Sequence, residues 1–400
     1  MLDVKRHVVT PLWASAKETV KIFELLQERA DKECPQALFV GGAVRNLILG
    51  EKVDDIDIAT ILPPEKVMDI LGKADIRVIP TGIDHGTVTV ISGEYSYEIT
   101  TLRRDIETDG RRAVVAYTAS WEEDAQRRDF TINTLLMDIN GNIYDPIGCG
   151  LADLDARKVL FVGDAKQRIT EDYLRILRFF RFSALYGAGK FDQEGLRACK
   201  DHADKIKSLS KERITQEFFK IISSDKPYEV LKIMFAHGVL TDFDFTGDDD
   251  LKFFEYFCNF QKKYRLSALS ARLFVMADMN LDNVLKMRQL ILFPKVFLKD
   301  ISAINGALKL PDLSCDHAVR ACIYKFGRNI TAQTLMIELA QDRVMNSYAP
   351  KALDIIQNWQ IPTFPITGND LIAQGMKAGK ALGEELERLE NQWIDNDFKS

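Results

Sequence analysis

The chain has few cysteines, and none are paired at the spacing of a zinc site. Six cysteines are scattered over 400 residues, with no Cys-x-x-Cys pair. Zinc sites commonly use Cys-x-x-Cys pairs, and disulfide frameworks occur mainly in small cysteine-rich domains, so reduced thiols in a reducing compartment are expected instead. The five histidines include no His-Asp dipeptide, so no fused metal-dependent phosphohydrolase domain is predicted.

Long apolar runs are missing as well. No stretch approaches the roughly 20 apolar residues that a membrane-spanning helix needs. The first residues, 1–6, contain no apolar signal core and too little Arg and Ser for a transit peptide. Together with the reduced thiols, this predicts a cytoplasmic protein without a membrane partner.

The chain as a whole also lacks an excess of positive charge. Lys and Arg number 53 against 59 Asp and Glu, and the net charge of −6 argues against general adhesion to nucleic acid. Between residues 157 and 190 the balance is reversed, with eight basic residues against three acids. This basic strip consists of Arg157, Lys158, Lys166, Arg168, Arg175, Arg178, Arg181 and Lys190. Contact with RNA is therefore expected to concentrate there.

The apolar patterns predict two kinds of region. Over the first ~150 residues helix and strand patterns alternate, with hairpins predicted at 87–101 and around Asn140-Gly141. From about Asp164 onward nearly all patterns have a helical period, for example at 169–185 and 211–222. The prediction is an α+β protein, with a small mixed-sheet head followed by an all-helical remainder.

Two acids near the start of the chain form the most informative pattern. Asp55 and Asp57 alternate with Ile56 and Ile58, so both carboxylates are expected on one face of a strand. Like charges held together raise each other's cost of ionisation, and a hard divalent cation relieves that cost. The pattern predicts Asp55 and Asp57 as ligands of Mg²⁺ in a site for nucleotidyl transfer. The alternative, a surface acid cluster in a turn, is less favoured because of the alternating isoleucines.

A third acid, Glu98, lies on the polar face of the strand predicted at 95–101. If that strand neighbours the one carrying Asp55 and Asp57, Glu98 adds a third catalytic carboxylate. Taken alone, Glu98 is better explained as a solvated acid on a half-exposed strand.

Two further segments gain meaning only from these acids. Gly41 and Gly42 precede a short predicted helix, whose free N–H groups and the nearby Arg45 could hold a triphosphate. A Gly-Gly pair alone usually marks only a tight turn. The segment 127–133 places three charges before an apolar strand, and alone it is best explained as a charged helix end.

The segment 171–178 gives a sharper functional prediction. On one helix, Asp172 and Arg175 would lie one turn apart, with Arg178 one turn further on. A carboxylate that accepts from an amino group, beside a guanidinium that donates to a ring nitrogen, matches the base edges of C and A but not those of U and G. The pair could therefore select CTP and ATP without a template. The alternative is an ordinary helical salt bridge.

Seven motifs, in this order, resemble the class II tRNA nucleotidyltransferases, or CCA-adding enzymes, and their relatives the bacterial poly(A) polymerases. They are Val40–Arg45, Asp55–Thr60, Asp84–Val88, Tyr97–Arg103, Arg127–Asn133, Glu171–Arg175 and Leu209–Ile214. A C-terminal block that begins at Phe364-Pro365-Ile366-Thr367 is also similar. Each motif alone is weak, but their shared order is highly specific.

The resemblance implies a catalytic head at 1–158, a base-recognising neck at 159–223, a body at 224–310 and a tRNA-binding tail at 311–400, the last three helical. It implies that Asp55 and Asp57 bind Mg²⁺ and that Glu98 supports them. The implied nucleotide-binding residues are Gly41, Gly42, Arg45 and Arg178 at the triphosphate, Arg128, Asp129 and Asn133 at the ribose, and Asp172 and Arg175 at the base. A flexible loop at 103–117, with Asp105, Arg111 and Arg112, is implied too, and its presence favours addition of the terminal A.

The chain departs from the family pattern at three places. Asn46 stands where the family usually has Asp, 145–150 is one residue longer than usual, and Leu160 replaces a common Arg. None of these changes removes a metal ligand.

The sequence therefore predicts an enzyme that adds C, C and A to tRNA from CTP and ATP, with Mg²⁺ as cofactor, and that binds the 3′ end and elbow of tRNA. The nearest alternative is an A-adding enzyme or a poly(A) polymerase of the same family. A catalytically silent RNA-binding protein is disfavoured by the complete set of acids. A sugar transferase with an Asp-x-Asp metal site would leave the segment 171–178 and the basic strip unexplained.

Overall fold

The structure is a computed structural model that describes residues 2–27, 35–108, 113–241 and 248–399. The chain forms two compact units. Unit 1 contains Met1–Glu217 with Ala236–Val239, and unit 2 contains Phe218–Phe235 with Leu240–Ser400. Across the described ranges, every helix is too short or too polar to cross a membrane.

Unit 1 is built on a mixed β-sheet. The strands of the unit are β1 (Val4–His7), β2 (Ala37–Val40), β3 (Ile56–Thr60), β4 (Arg77–Gly82), β5 (Thr87–Ser92), β6 (Tyr95–Thr101), β7 (Arg103–Thr108), β8 (Ala113–Tyr117), β9 (Leu136–Met137) and β10 (Asn142–Tyr144). Eight of them form one sheet in the order β1-β10-β9-β2-β3-β6-β5-β4, while β7 and β8 form a separate antiparallel pair. Only β3 and β6 are parallel among the described pairings, and their register places Asp57 opposite Glu98.

Helices cover this sheet and follow it along the chain. Up to Ile222 they are α1 (Leu12–Ser15), α2 (Lys17–Gln27), α3 (Gly42–Leu49), α4 (Pro64–Lys73), α5 (Trp121–Gln126), α6 (Gly150–Asp155), α7 (Ala165–Glu171), α8 (Leu174–Tyr186), α9 (Gln193–Asp201) and α10 (Lys211–Ile222). Short 3₁₀ turns occur at Ile83–His85, Thr131–Asn133 and Ala203–Ser208. The strand β2 is buried along its whole length, as its unbroken run of apolar residues requires.

All the regular secondary structure in the described residues of unit 2 is helical. The remaining helices are α11 (Pro227–Ala236), α12 (Asp248–Tyr264), α13 (Leu269–Met276), α14 (Leu281–Met287), α15 (Lys295–Ala307), α16 (Asp316–Ala340), α17 (Ala349–Asn358), α18 (Gly368–Ala373) and α19 (Lys380–Asp395). The long helix α16 is interrupted at Gly327, whose φ of 81° is readily adopted only by glycine. Thr367 and Asp370 form a capping box that begins α18.

The α+β prediction, with a mixed-sheet head and a helical remainder, is confirmed. The hairpin predicted at 87–101 is β5–β6, and the helix predicted at 211–222 is α10. The single helix predicted at 169–185 is wrong, because the chain breaks it into α7 and α8 at Asp172 and Tyr173. The further division into head, neck, body and tail at the stated bounds stays a prediction.

Candidate active site

The paired acids lie at the beginning of β3, beside the parallel strand β6. Asp57 is half-buried on β3, whereas Asp55 is exposed and comes one residue before the strand begins. Glu98, on the neighbouring strand, is exposed. Burial, together with repulsion from Glu98 and from Asp55, raises the pKa of Asp57 to about 6, against the attraction of nearby arginines. The three acids therefore share one electrostatic environment, in which added positive charge is favourable.

The carboxylate oxygens of these acids suit a hard divalent cation. Within the described ranges, no three His, Cys, Asp or Glu side chains are grouped closely enough to enclose a metal ion by themselves. Mg²⁺ does not need such a cage, since it is usually held by one or two carboxylates, water and substrate phosphates. Asp55 and Asp57 meet that requirement, and the raised pKa of Asp57 is relieved by a bound cation.

The glycine turn before α3 brings backbone close to charged side chains. Gly41 has a φ of 65°, which strains any other residue, and its N–H donates to the carbonyl of Leu135 at 3.3 Å. A Cβ on Gly41 would lie 3.5 Å from Nη1 of Arg128, and one on Gly42 would lie 3.7 Å from Nη2 of Arg45. The turn therefore leaves open backbone beside two guanidinium groups and the Asp57 carboxylate, which lies 4.0 Å from both Cβ positions.

One cavity of about 410 Å³ gathers the residues predicted to bind the nucleotide. Its lining is Gly41, Gly42, Arg45, Asp57, Arg128, Asp129, Asn133, Asp172, Arg175, Arg178, Arg181 and Phe182. All nine predicted nucleotide-binding residues are present, together with Asp57. Another cavity of about 470 Å³ lies between α2 and α4, but it contains none of the predicted site residues.

The base-recognition pair is held differently from the prediction. Asp172 is extended, with φ −155° and ψ 105°, because its side chain accepts the N–H of Leu174 instead of continuing the helix. Its other oxygen pairs with Arg213 at 2.7 Å. Arg175 pairs with Glu171 at 2.6 Å. Asp172 and Arg175 thus line one cavity without a salt bridge to each other, so the simple helical ion pair is not formed.

Asp129 is the centre of a buried network beside the glycine turn. It accepts from Nε of Arg178 at 2.7 Å, from Nδ2 of Asn133 at 2.9 Å and from the N–H of Phe130 at 2.8 Å. Burial alone would raise the pKa of Asp129, but the charge of Arg178 and these hydrogen bonds hold it below its usual value. Asp129 therefore stays ionised and fixes both Asn133 and Arg178.

Several site residues were not found from the sequence. Arg181 and Phe182 line the cavity, and the guanidinium of Arg181 lies 4.3 Å from the centre of the Phe182 ring. Glu217 pairs with Arg181 at 2.6 Å, and Arg213 holds Asp172. Arg213 belongs to the last of the seven motifs, and that motif could have identified it as a site residue. No sequence pattern indicates that Glu217 pairs with Arg181, which lies 36 residues away.

The predicted flexible loop is described only in part. Its two strands, β7 and β8, pair with Arg103 opposite Tyr117. Arg111 and Arg112 lie outside the described residues, and so does the side chain of Asp105.

Four arginines of the basic strip are paired with acidic side chains. Of its members, Arg168 and Arg175 pair with Glu171, Arg178 with Asp129 and Arg181 with Glu217. These four residues are half-buried or buried, and the concentration of RNA contacts in this strip stays a prediction. Lys158, Lys166 and Lys190 remain exposed.

The departures from the family pattern occupy ordinary local structure. The segment 145–150, which is one residue longer than usual, forms a turn with Gly148 at φ 76°, and Oδ1 of Asp145 accepts the N–H of Gly148. At Leu160, the backbone carbonyl accepts the N–H of Thr131. Asn46 contacts Arg45 directly, at 2.8 Å from Nη2.

The comparisons with known proteins agree with this arrangement. The model of the Poly A polymerase head domain matches residues 37–160, and that of the probable RNA and SrmB-binding site of polymerase A matches 190–243. The chain is 34% identical to the mitochondrial CCA tRNA nucleotidyltransferase 1 of Danio rerio, over 88% of this chain and 82% of that protein. It is 32% identical to the CCA-adding enzyme of Streptococcus pneumoniae serotype 19F (strain G54), over 91% of this chain and 90% of that one.

A solved structure is similar over nearly the whole length. The Bacillus stearothermophilus CCA-adding enzyme in complex with CTP is 25% identical, with a TM-score of 0.77 over 95% of this chain and 93% of that chain. Since relatives above 30% identity are covered over most of their length, the predicted resemblance is confirmed. The chain is a nucleotidyltransferase and belongs to the family of the CCA-adding enzymes and bacterial poly(A) polymerases.

Proposed function

We propose that this enzyme adds C, C and A in turn to the 3′ end of tRNA, using CTP and ATP and releasing pyrophosphate. The observation that carries the proposal is the single cavity that joins Asp57, the glycine turn and four arginines to Asp172 and Arg175. The relatives named above supply the substrate class, since they are CCA tRNA nucleotidyltransferases and CCA-adding enzymes.

Divalent cations are general in this chemistry, and we propose Mg²⁺ held by Asp55 and Asp57 with support from Glu98. The cation would neutralise charge on the triphosphate and ease deprotonation of the primer 3′-OH. The backbone at Gly41 and Gly42, with Arg45 and Arg178, would hold the phosphates of the incoming nucleotide in line with that hydroxyl. The hydroxyl oxygen then bonds to the α-phosphorus while the bond from that phosphorus to pyrophosphate breaks.

Selection of the base is assigned to Asp172 and Arg175. Arg213 holds Asp172 and Glu171 holds Arg175 at the cavity by ion pairs. Because Asp172 and Arg175 are not paired with each other, both can form hydrogen bonds to the edge of one base. A carboxylate acceptor beside a guanidinium donor fits C and A. Asp129, Asn133 and Arg128 are proposed at the ribose, where ionised Asp129 is a hydrogen-bond acceptor for a hydroxyl.

The helical regions are proposed to divide the work: the neck at 159–223 recognises the base, the body at 224–310 follows it, and the tail at 311–400 binds the tRNA elbow. A cytoplasmic location is also proposed. It is consistent with the thiols, since all the cysteines in the described ranges are unpaired and burial raises the pKa of Cys199, Cys258 and Cys322.

An incorporation assay tests the proposal. Purified enzyme is incubated with tRNA lacking its last three nucleotides, with Mg²⁺ and with CTP, ATP, UTP and GTP singly or together. Products of two added C and one added A support CCA addition, and Asp57→Ala is the inactive control. Extension by A alone, or a run of A, would assign the A-adding or poly(A) activity instead. Absence of all incorporation would contradict the proposal.

A further inference from the structure

Arg45 differs from the other arginines of the cavity in its partners. Five arginines line the cavity. Four of them are paired with carboxylates, namely Arg128 with Asp124, Arg175 with Glu171, Arg178 with Asp129 and Arg181 with Glu217. For Arg45, no carboxylate of the described residues lies within ion-pair distance. Asp129 and Asp57 act on its charge only from beyond that distance, whereas each of the other four arginines has a carboxylate in direct contact.

Every hydrogen-bond partner of Arg45 is neutral. Its Nε and Nη2 donate to Oδ1 of Asn46 at 3.1 and 2.8 Å, Nη2 donates to the Tyr186 hydroxyl at 2.8 Å, and Nη1 donates to Oδ1 of Asn133. The guanidinium also lies 4.0 Å from the centre of the Tyr186 ring. Only 6% of Arg45 is exposed, so water screens this charge poorly.

The side chain of Asn46 is fixed in the orientation that serves Arg45. Its Nδ2 donates to the carbonyl of Lys52 at 2.9 Å. Because that carbonyl is an acceptor, the nitrogen of the Asn46 amide, and not its oxygen, must face it. Oδ1 is therefore the atom that meets Arg45. A carboxylate at this position would turn the same contact into an ion pair and would neutralise the guanidinium inside the protein.

We propose that the neutrality of Asn46 keeps the charge of Arg45 available to a bound polyphosphate, so that Asn46 is a positioning residue that sets the affinity for the triphosphate. This inference rests on the proposed function, in which the polyphosphate belongs to CTP or ATP. A buried cation with only neutral acceptors gains most from an anionic ligand, because that ligand supplies the missing counter-charge. The paired arginines gain less, since each already has a carboxylate.

The test measures binding without catalysis. Dissociation constants for inorganic pyrophosphate and for CTP are determined by calorimetry in EDTA, for the wild type and for Asn46→Asp, Asn46→Ala and Arg45→Gln. Asn46→Asp is expected to weaken both ligands about tenfold, as expected for the loss of one charge-assisted contact. Asn46→Ala, which removes the contact without adding charge, is expected to change binding less than about threefold.

The double variant Arg45→Gln/Asn46→Asp separates charge from shape. If Asn46→Asp acts by neutralising Arg45, it has no further effect in the Arg45→Gln background. The matched control is Asn391→Asp in unit 2, where Asn391 accepts from Nζ of Lys325 at 2.9 Å, and its pyrophosphate affinity is expected to equal that of the wild type.

Three results would overturn the inference. They are unchanged binding in Asn46→Asp, an equal loss in Asn46→Ala, and additive losses in the double variant. Should Asn46→Asp fail to fold, Arg45→Gln alone decides, since unchanged pyrophosphate affinity there removes Arg45 from the site. Failure of tRNA extension by the wild type would instead contradict the proposed function, and the pyrophosphate measurement would still stand.

Discussion

Two buried arginines, one in each unit, have different surroundings although both donate to neutral groups. Arg45 in unit 1 is 6% exposed and Arg272 in unit 2 is 4% exposed. Neither has a carboxylate partner among the described residues. Arg272 donates to the carbonyls of Ile222 and Ser224 at 2.6 and 3.0 Å and to Oε1 of Gln261 at 2.9 Å. Arg45 faces a cavity, whereas Arg272 is closed in among helices.

The two arginines differ in the space that remains around the guanidinium group. The carbonyls of Ile222 and Ser224 come from the end of α10 and the turn after it, where helical partners are missing, so Arg272 completes hydrogen bonds that the fold itself requires. The amide and hydroxyl partners of Arg45 place the cation beside open space. A buried charge thus indicates a ligand site only where the structure leaves room for the ligand.

Two acids extend the same comparison. Asp57 in unit 1 and Glu338 in unit 2 both have raised pKa values, to about 6 and about 7, with burial as the largest cause in each. Repulsion from Glu98 and Asp55 adds to the effect at Asp57. Glu338 is completely buried, and one of its oxygens accepts the N–H of Leu313.

The largest expected effect is at Asp57. Asp57→Asn is expected to lower incorporation of CTP into tRNA by at least about a thousandfold, because a metal ligand worth several kcal/mol is removed. Glu98→Gln, the control on the neighbouring strand, is expected to lose less. Equal activity of Asp57→Asn and the wild type would contradict the metal assignment.

The same variant is expected to be more stable than the wild type. Because the pKa of Asp57 is raised in the folded state, its stabilising contribution is full below about pH 4 and is lost as the pH rises through about 6. In EDTA at pH 7.5, Asp57→Asn is expected to melt at a higher temperature, with a gain that shrinks toward pH 4. A lower melting temperature at pH 7.5 would remove Asp57 from the set of destabilising charges.

The next effect separates the two arginines. Arg272→Met is expected to lower the free energy of unfolding by roughly 3 kcal/mol, because two carbonyls and an amide lose their donor inside the protein. Arg45→Met is expected to destabilise less, since water in the cavity can reach its former partners, but to weaken CTP binding. Urea unfolding and calorimetry measure the two quantities. The comparison fails if Arg272→Met weakens CTP binding as much as Arg45→Met.

Much of the site was accessible from the sequence, because local chemistry determines it. The alternation of Asp55 and Asp57 with isoleucines identified β3, and the order of the motifs identified nine of the twelve residues that line the cavity. The pairing of β3 with β6 was an explicit condition for Glu98, and it is met.

The remainder depended on contacts that sequence patterns do not contain. The periodicity at 169–185 continues through Asp172, but its side chain competes for the backbone N–H of Leu174 and ends α7. Glu217 pairs with Arg181 across 36 residues, and such long-range ion pairs leave no periodic signal. Only the three-dimensional structure shows that Arg45 has no carboxylate partner among the residues it describes.

A smaller effect is expected at Arg213, whose pair with Asp172 is partly exposed. Arg213→Ala should leave the melting temperature within about 2 °C, because exposed ion pairs contribute little. It should still raise misincorporation of UTP and GTP by roughly threefold to tenfold, since Asp172 loses the group that holds it. Asp172→Ala, which removes the acceptor itself, should blur selection further. Unchanged nucleotide selectivity in both variants would contradict the base-recognition assignment.

The smallest effect concerns Glu338, the buried acid without a cavity. Its raised pKa means that its contribution to stability is full below about pH 4.5 and is lost as the pH rises through about 7. Glu338→Gln keeps an acceptor for Leu313 and removes the charge, so it should stabilise the protein by roughly 1 kcal/mol or more at pH 8 and by much less at pH 5. Glu338→Met, which leaves the Leu313 N–H unpaired, should destabilise at both pH values. Since neither change touches the cavity of unit 1, both variants should bind CTP like the wild type. A stabilised Glu338→Gln with altered CTP affinity would show that the buried acids of the two units are coupled, and the contrast between them would then fail.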